Sequence, residues 1–110
     1  LAISPDGTRI AYIGRSGNDD VIFLRHAHQR EAQALKGTNG ADFPFFSPDG
    51  EWIGFDSDGK LKKVSVLGGP PVTLCDAPNL RGASWAGDGT IVFVPGRSGG
   101  MARVSEAGGE

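Results

Sequence analysis

The sequence predicts an all-β fold made of repeated, four-stranded antiparallel sheets. A turn tetrad occurs three times, as Ser-Pro-Asp-Gly at 4–7 and 47–50 and as Ala-Gly-Asp-Gly at 86–89. Each tetrad is flanked by short runs rich in β-branched and aromatic residues, which is typical of strands joined by tight turns. The tetrad aspartates are 43 and 39 residues apart, a period that indicates β-propeller blades rather than helical repeats. We therefore predict about 2.75 blades of four antiparallel strands each.

Residues 39–77 contain a complete blade, which provides the template for the other two. Its predicted strands lie at 42–47, 51–56, 61–67 and 72–75. The first blade, 1–38, has a strand before its tetrad and further strands at 8–13, 21–26 and 32–36. The third blade, 78–110, has a strand before its tetrad, strands at 91–94 and 101–105, and no fourth strand. We expect one propeller segment of a longer protein, without separate domains.

The tetrads carry the chemistry of tight turns. Proline presets φ at the first turn position, aspartate hydrogen-bonds to the nearby backbone, and glycine adopts the positive φ that ends the turn. The six predicted turn residues are Asp6, Gly7, Asp49, Gly50, Asp88 and Gly89.

The second strand of each blade is predicted to be apolar on both faces, as a sheet between two others requires. Counting from each turn aspartate predicts two sets of equivalent residues on one face. The first set is Ile10, Ile53 and Val92, and the second is Tyr12, Phe55 and Val94. The opposite face then carries Ala11 and Ile13 in blade one and Ile91 and Phe93 in blade three.

These residues resemble a known family. The repeat begins with the pattern apolar-Ser-Pro-Asp-Gly-x-x-Ile-x-Phe/Tyr, which is followed by a hairpin and by a strand that ends in Gly-Gly-x-Pro-x-x-Leu. This pattern is similar to the TolB-like propeller repeat, a relative of WD repeats. The resemblance covers essentially the whole chain. Departures are Gly87 in place of the tetrad proline and the longer third hairpin of blade one, 27–31.

The resemblance implies a non-catalytic scaffold that binds a protein, a peptide or a small ligand through its loops or channel mouth. An alternative follows from the same resemblance, because TolB-like repeats also form the gating propeller of prolyl-oligopeptidase-type peptidases and the sensor part of some bacterial serine/threonine kinases. It also implies a bacterial, extracytoplasmic setting. The fold alone does not indicate the function, because propellers with many different functions share it.

One segment matches a hydrolase motif. Residues 96–100 read Gly-Arg-Ser-Gly-Gly and so match Gly-x-Ser-x-Gly, but the motif needs a helix after Ser98 and the sequence continues as a strand. Residues 14–17 occupy the same place in blade one. We therefore interpret 96–100 as a hairpin and predict no catalytic residue.

Two patterns suggest metal ligands. His26 and His28 share one strand face and would bind zinc if a third ligand converged. Residues 56–59 resemble the end of a calcium loop, although Gly54 stands where the first ligand belongs. A solvated hairpin and a plain turn explain these two segments, so we predict neither a metal nor a cofactor.

Three further side chains have both a structural and a functional interpretation. Trp52 and Trp85 are candidate ligand platforms. Trp85 aligns with apolar residues before the other tetrads, which favours a core role, and Trp52 is less clearly a core residue. Cys75 is the single cysteine, which excludes an internal disulfide and leaves a thiol.

The composition excludes several partner classes. A hydrophobic content of 38% with 22% charged residues is ordinary for a globular domain. The net charge of −2 and the scattered Lys and Arg residues argue against nucleic acid and against a polybasic membrane patch. No apolar run reaches the length of a membrane-spanning helix, so we expect no membrane insertion.

An open stack of fewer than four blades cannot close a ring. We therefore expect identical chains to cover each other's open ends, most simply as a dimer that forms a six-bladed ring. The predicted contact joins Ala11, Ile13 and Phe23 of one chain to Ile91 and Phe93 of the other.

Overall fold

The computed structural model describes residues 2–27, 30–77, 80–95 and 101–107. The chain is all-β in these residues, as predicted, and its eleven described strands form three antiparallel sheets in sequence order. Blade one contains β1 (Ala2–Ile3), β2 (Arg9–Ser16), β3 (Asp19–His26) and β4 (Gln33–Ala34). Blade two contains β5 (Asp42–Phe46), β6 (Trp52–Ser57), β7 (Lys60–Ser65) and β8 (Val72–Asp76). Blade three contains β9 (Leu80–Trp85), β10 (Thr90–Pro95) and β11 (Ala102–Ser105). None of the described residues lies in a helix that could cross a membrane.

The blades are stacked so that each of two apolar cores lies between neighbouring sheets. We call the face that a blade turns toward the next blade in sequence its forward face, and the opposite face its backward face. The first core joins the forward face of blade one to the backward face of blade two. It contains Ala11, Ile22, Leu24, Leu35, Ala41, Phe46, Ile53, Phe55, Val64 and Val66. The second core joins blade two to blade three, and its buried members are Leu61, Leu74, Ala77, Leu80, Trp85, Ile91, Phe93 and Val104.

The tetrad turns have the geometry that their residues favour. The three turn glycines lie in the left-handed region, with φ of 76° at Gly7, 73° at Gly50 and 90° at Gly89. In each turn the aspartate carboxylate accepts a hydrogen bond of 3.0 Å from the amide two residues later, and the amides belong to Thr8, Glu51 and Thr90. The turns are therefore closed by the chain's own groups.

The turn of blade three is one residue shorter than the other two. In blades one and two the turn is flanked by the pairs Ile3↔Ile10 and Phe46↔Ile53, which enclose six residues. In blade three the pair is Trp85↔Ile91, which encloses five. In blade three, the structural equivalent of Ile10 and Ile53 is therefore Ile91 rather than Val92. The equivalent of Tyr12 and Phe55 is Phe93 rather than Val94. Counting from the turn aspartate predicted these two sets wrongly in blade three.

This register also corrects the predicted contact between chains. Ala11, Ile91 and Phe93 are buried inside the chain, at 0%, 0% and 5% exposure. Ile13 is partly buried against the first core. Of the five predicted contact residues, Phe23 alone lies on an open blade face, because Ala11 and Ile13 belong to the forward face of blade one. The prediction therefore placed Ala11 and Ile13 on the wrong face of blade one. It placed Ile91 and Phe93 on the wrong face of blade three, because it did not allow for the shorter turn.

Candidate binding cleft between the second and third blades

A cleft of about 300 Å³ opens between blades two and three at the end of the stack where the tetrads lie. The turn of blade two forms one wall and the turn of blade three forms the other. Its lining residues are Ser47, Pro48, Asp49, Trp52, Lys63, Trp85, Ala86, Gly87, Asp88, Gly89 and Glu106. The cleft therefore combines two indole rings, one ammonium and three carboxylates within a small volume.

The two tryptophans have different roles in this cleft. Trp85 is 8% exposed and belongs to the second core, where it meets Phe45 edge-on with ring centroids 6.2 Å apart. Its indole Nε1 donates a hydrogen bond of 2.9 Å to Glu106 Oε1. Trp52 is half-buried, and Lys63 Nζ lies 4.5 Å from the centroid of its ring. The core interpretation holds for Trp85, whereas Trp52 forms part of the cleft wall.

The corresponding position between blades one and two is filled by an arginine. The equivalent of Trp52 in blade one is Arg9, since both pair with the last residue of the next strand, His26 or Ser65. Arg9 Nη1 donates a hydrogen bond of 3.0 Å to the carbonyl of Gly50 and lies 3.8 Å from a carboxylate oxygen of Glu51. A guanidinium of the chain itself therefore occupies the space that remains open between blades two and three.

Two further side chains next to this position also differ between the first and the second interface. Strand pairing makes Lys63 the counterpart of Leu24, and the backbone bonds that close each hairpin make Glu106 the counterpart of Val66. Leu24 and Val66 are both buried in the first core. Two apolar side chains at the first interface are thus replaced by an ammonium and a carboxylate at the second, which favours solvent or a polar ligand over a packed core.

The described lining residues include three carboxylates, Asp49, Asp88 and Glu106, and one cation, Lys63, so they carry a net negative charge. The Ser47 hydroxyl donates to the Asp49 carboxylate, and this bond, with the amide of Glu51, holds the pKa of Asp49 below its ordinary value. Asp49 is therefore ionised over the physiological pH range. The cleft therefore presents ionised carboxylates beside two indole rings and one ammonium.

The other sequence candidates lie away from the cleft. Asp58 and Gly59 both have positive φ, 58° and 73°, and form a two-residue hairpin turn. Asp56 Oδ1 is buried without a hydrogen-bond partner among the described residues, and burial, followed by the nearby Asp42, raises the pKa of Asp56. In the described part of the chain no three potential ligands are grouped around a common metal position.

The remaining candidates lie elsewhere in the sheets or outside the described residues. His26 lies opposite Arg9 at the end of β3, while His28 falls outside the described residues, as do the motif at 96–100 and its Ser98. Cys75 is half-buried in β8.

The cleft was not predicted from the sequence. Its signal lies in a comparison of equivalent positions: arginine, leucine and valine in the first interface become tryptophan, lysine and glutamate in the second.

Comparison with known proteins supports the fold. A protein described as TolB from Agrobacterium tumefaciens is similar over 86% of this chain, with 28% identity and a TM-score of 0.73. TolB from Acinetobacter baumannii is similar over 97% of this chain, with 18% identity and a TM-score of 0.71. This chain spans 36% and 30% of the lengths of those two structures. No family model and no curated protein matches the sequence. The predicted likeness to TolB-like propellers is confirmed.

Proposed function

We propose that this segment of TolB-like blades is a non-catalytic binding and assembly scaffold, and that identical chains associate through their open ends. The resemblance further supports a bacterial, extracytoplasmic setting. The observation that carries the assembly proposal is the apolar backward face of blade one, which none of the described strands of blades two and three covers.

This open face consists of Ile3, Ile10, Tyr12 and Phe23. Ile3 is 61% exposed, and the rings of Tyr12 and Phe23 stack with their centroids 5.6 Å apart. The equivalents of Ile3, Ile10 and Tyr12 are buried in both other blades, as Phe46, Ile53 and Phe55 in blade two and as Trp85, Ile91 and Phe93 in blade three. A continuous apolar face of this kind is characteristic of an interaction surface.

The partner that we propose for this face is the forward face of blade three in a second copy. Both interfaces inside the chain join a forward face to a backward face, so the same arrangement continues the stack. The forward face of blade three presents Val92 and Val94, which are half-buried, beside the exposed Ser84. Two chains of three blades each then form a closed ring with six blades, a number within the range of known propellers.

Light scattering coupled to size-exclusion chromatography tests the proposal over a range of protein concentrations. We expect a dimer that becomes more populated as the protein concentration rises. Tyr12→Lys should return the protein to a folded monomer, whereas Leu67→Lys, at a residue 88% exposed outside the open face, should leave the dimer unchanged. A folded wild-type monomer at every concentration would contradict the proposal.

A further inference from the structure

We propose that the cleft between blades two and three binds a guanidinium group, such as the side chain of an arginine from another protein. This site lies within one chain, so its occupancy is independent of the association proposed above.

The first support is the arginine that the chain places in the equivalent site. The Arg9 side chain is 19% exposed, and its Nη1 is bonded to the Gly50 carbonyl and close to Glu51. Tetrad turns form the walls of both sites, and the turn of blade three that lines the cleft is one residue shorter than its counterpart in blade two. The blade geometry at this end of the stack is therefore compatible with a guanidinium between neighbouring turns.

The second support is the aromatic wall that replaces Arg9. The Trp52 ring already has a cation on its face, Lys63 Nζ at 4.5 Å from the centroid. Indole is the best aromatic partner for a cation, and a planar guanidinium stacks on it more effectively than an ammonium does. An arriving guanidinium would therefore compete with Lys63 for the same ring face.

The third support is the excess of carboxylates around the ring. Glu106 uses Oε1 to accept the indole N–H of Trp85. Its other oxygen, Oε2, lies against the turn of blade three, 3.2 Å from where a Cβ on Gly89 would stand. With Asp49 and Asp88 also lining the cleft, the local charge favours a cationic ligand. The volume of about 300 Å³ accommodates one arginine side chain.

The binding test uses N-acetyl-arginine amide as the probe. Its neutral citrulline counterpart has the same shape without the charge, and an N-acetyl-glutamate amide tests the opposite sign. Binding is followed by the NMR signal of the Trp85 indole N–H in the full 110-residue chain. We expect saturable binding of the arginine probe and affinities for the other two probes that are lower by about tenfold or more.

Three variants locate the site. Trp52→Arg should fill the cleft as Arg9 fills its counterpart and should abolish binding. Glu106→Gln keeps an acceptor for the Trp85 indole but removes the charge, and it should weaken binding by about three- to tenfold. Lys63→Leu restores the residue of the first interface, removes the competing cation and should strengthen binding. Glu31→Gln, at an exposed carboxylate in blade one, is the matched control and should have no effect.

Thermal unfolding of each variant separates loss of the site from loss of the fold, and binding is compared only among variants with a wild-type transition. Equal binding of the citrulline and arginine probes would overturn the proposal. So would unchanged binding in both Trp52→Arg and Glu106→Gln, or no binding of the arginine probe at about 50 mM, well above the range of weak specific affinities. Comparing free arginine with a short peptide that contains one arginine then identifies the source, since tighter binding of the peptide indicates a protein partner.

Discussion

The two blade interfaces of this chain have the same backbone plan and different contents at the end where the tetrads lie. Between blades one and two, Arg9 spans the gap and bonds to the opposite turn. Between blades two and three the equivalent Trp52 lies along one wall and leaves a cleft of about 300 Å³. The difference shows that a repeat can keep its sheet packing while a few side chains decide whether an interface is closed or open to a ligand.

The largest effect is expected from truncating the equivalent core residues of the two interfaces. Ile53→Ala and Ile91→Ala each remove a side chain with 0% exposure, and each should lower the free energy of unfolding by about 2–5 kcal/mol. Val92→Ala, at a half-buried residue, should cost about 1 kcal/mol or less. Urea denaturation measures all three, and a Val92 variant that is as unstable as the Ile53 variant would refute the structural alignment.

A smaller effect is expected from adding one methyl group to the forward face of blade two. Gly54 occupies the position of Ala11, and a Cβ on Gly54 would overlap the ring of Phe45. Gly54→Ala should therefore displace Phe45 and destabilise the protein by about 1–3 kcal/mol. The shift should appear in the NMR signals of Trp85, which contacts Phe45. An unchanged stability together with unchanged Trp85 signals would mean that Phe45 packs elsewhere.

The tetrad glycines provide a smaller and internally controlled test. Gly50 has a φ of 73°, whereas Gly87 lies outside the left-handed region and has free space around its Cβ position. Gly50→Ala should cost about 1 kcal/mol, while Gly87→Ala should be neutral or slightly stabilising because it restricts the unfolded chain. Thermal unfolding distinguishes the two, and equal losses would argue against a conformational role for Gly50.

The smallest effect concerns acid. Hydrogen bonds from the Thr8 hydroxyl and amide and from Ser4 lower the pKa of Asp6 from 3.8 to about 2. Its contribution to stability is therefore present above its ordinary pKa and is lost as the pH falls from 3.8 toward 2. Denaturation curves measured across this range should show a shallower loss of stability in Asp6→Asn than in wild type.

Asp56 should behave in the opposite sense. Because burial raises its pKa, ionisation costs stability in the folded protein, and that cost appears as the pH rises above the ordinary pKa of 3.8. Asp56→Asn should therefore gain stability relative to wild type as the pH increases. A variant that follows the wild-type pH profile would show that the Asp56 carboxylate is solvated.

Much of the fold is predictable from the sequence because tight turns and strands leave local patterns. The tetrads, the alternation of apolar residues and the repeat length place the strands to within a few residues. The ends of the strands differ because cross-strand pairing extends them: β2 and β3 continue to Ser16 and Asp19 around the turn at Gly17. The short β4, Gln33–Ala34, is limited by its two pairs with β3.

The cleft and the open face were less accessible to sequence reasoning. Both depend on which face of a strand meets which neighbour, and in a β-sheet an error of one residue exchanges the two faces. The five-residue turn of blade three introduced that error, and it moved Ile91 and Phe93 from a buried core to a proposed surface. The polar lining of the cleft becomes visible only after the blades are aligned by their strand pairing.

The short turn of blade three also has a consequence for how such repeats can change length. A residue lost inside β10 would turn its buried side chains toward solvent, whereas a residue lost in the turn leaves the pairing of Ile91 with Val104 intact. We therefore expect the tetrad loops to tolerate insertions and deletions, even though they contain the most recognisable motif of the repeat. Blades can acquire longer or shorter loops there, and with them new surfaces, without rebuilding the stack.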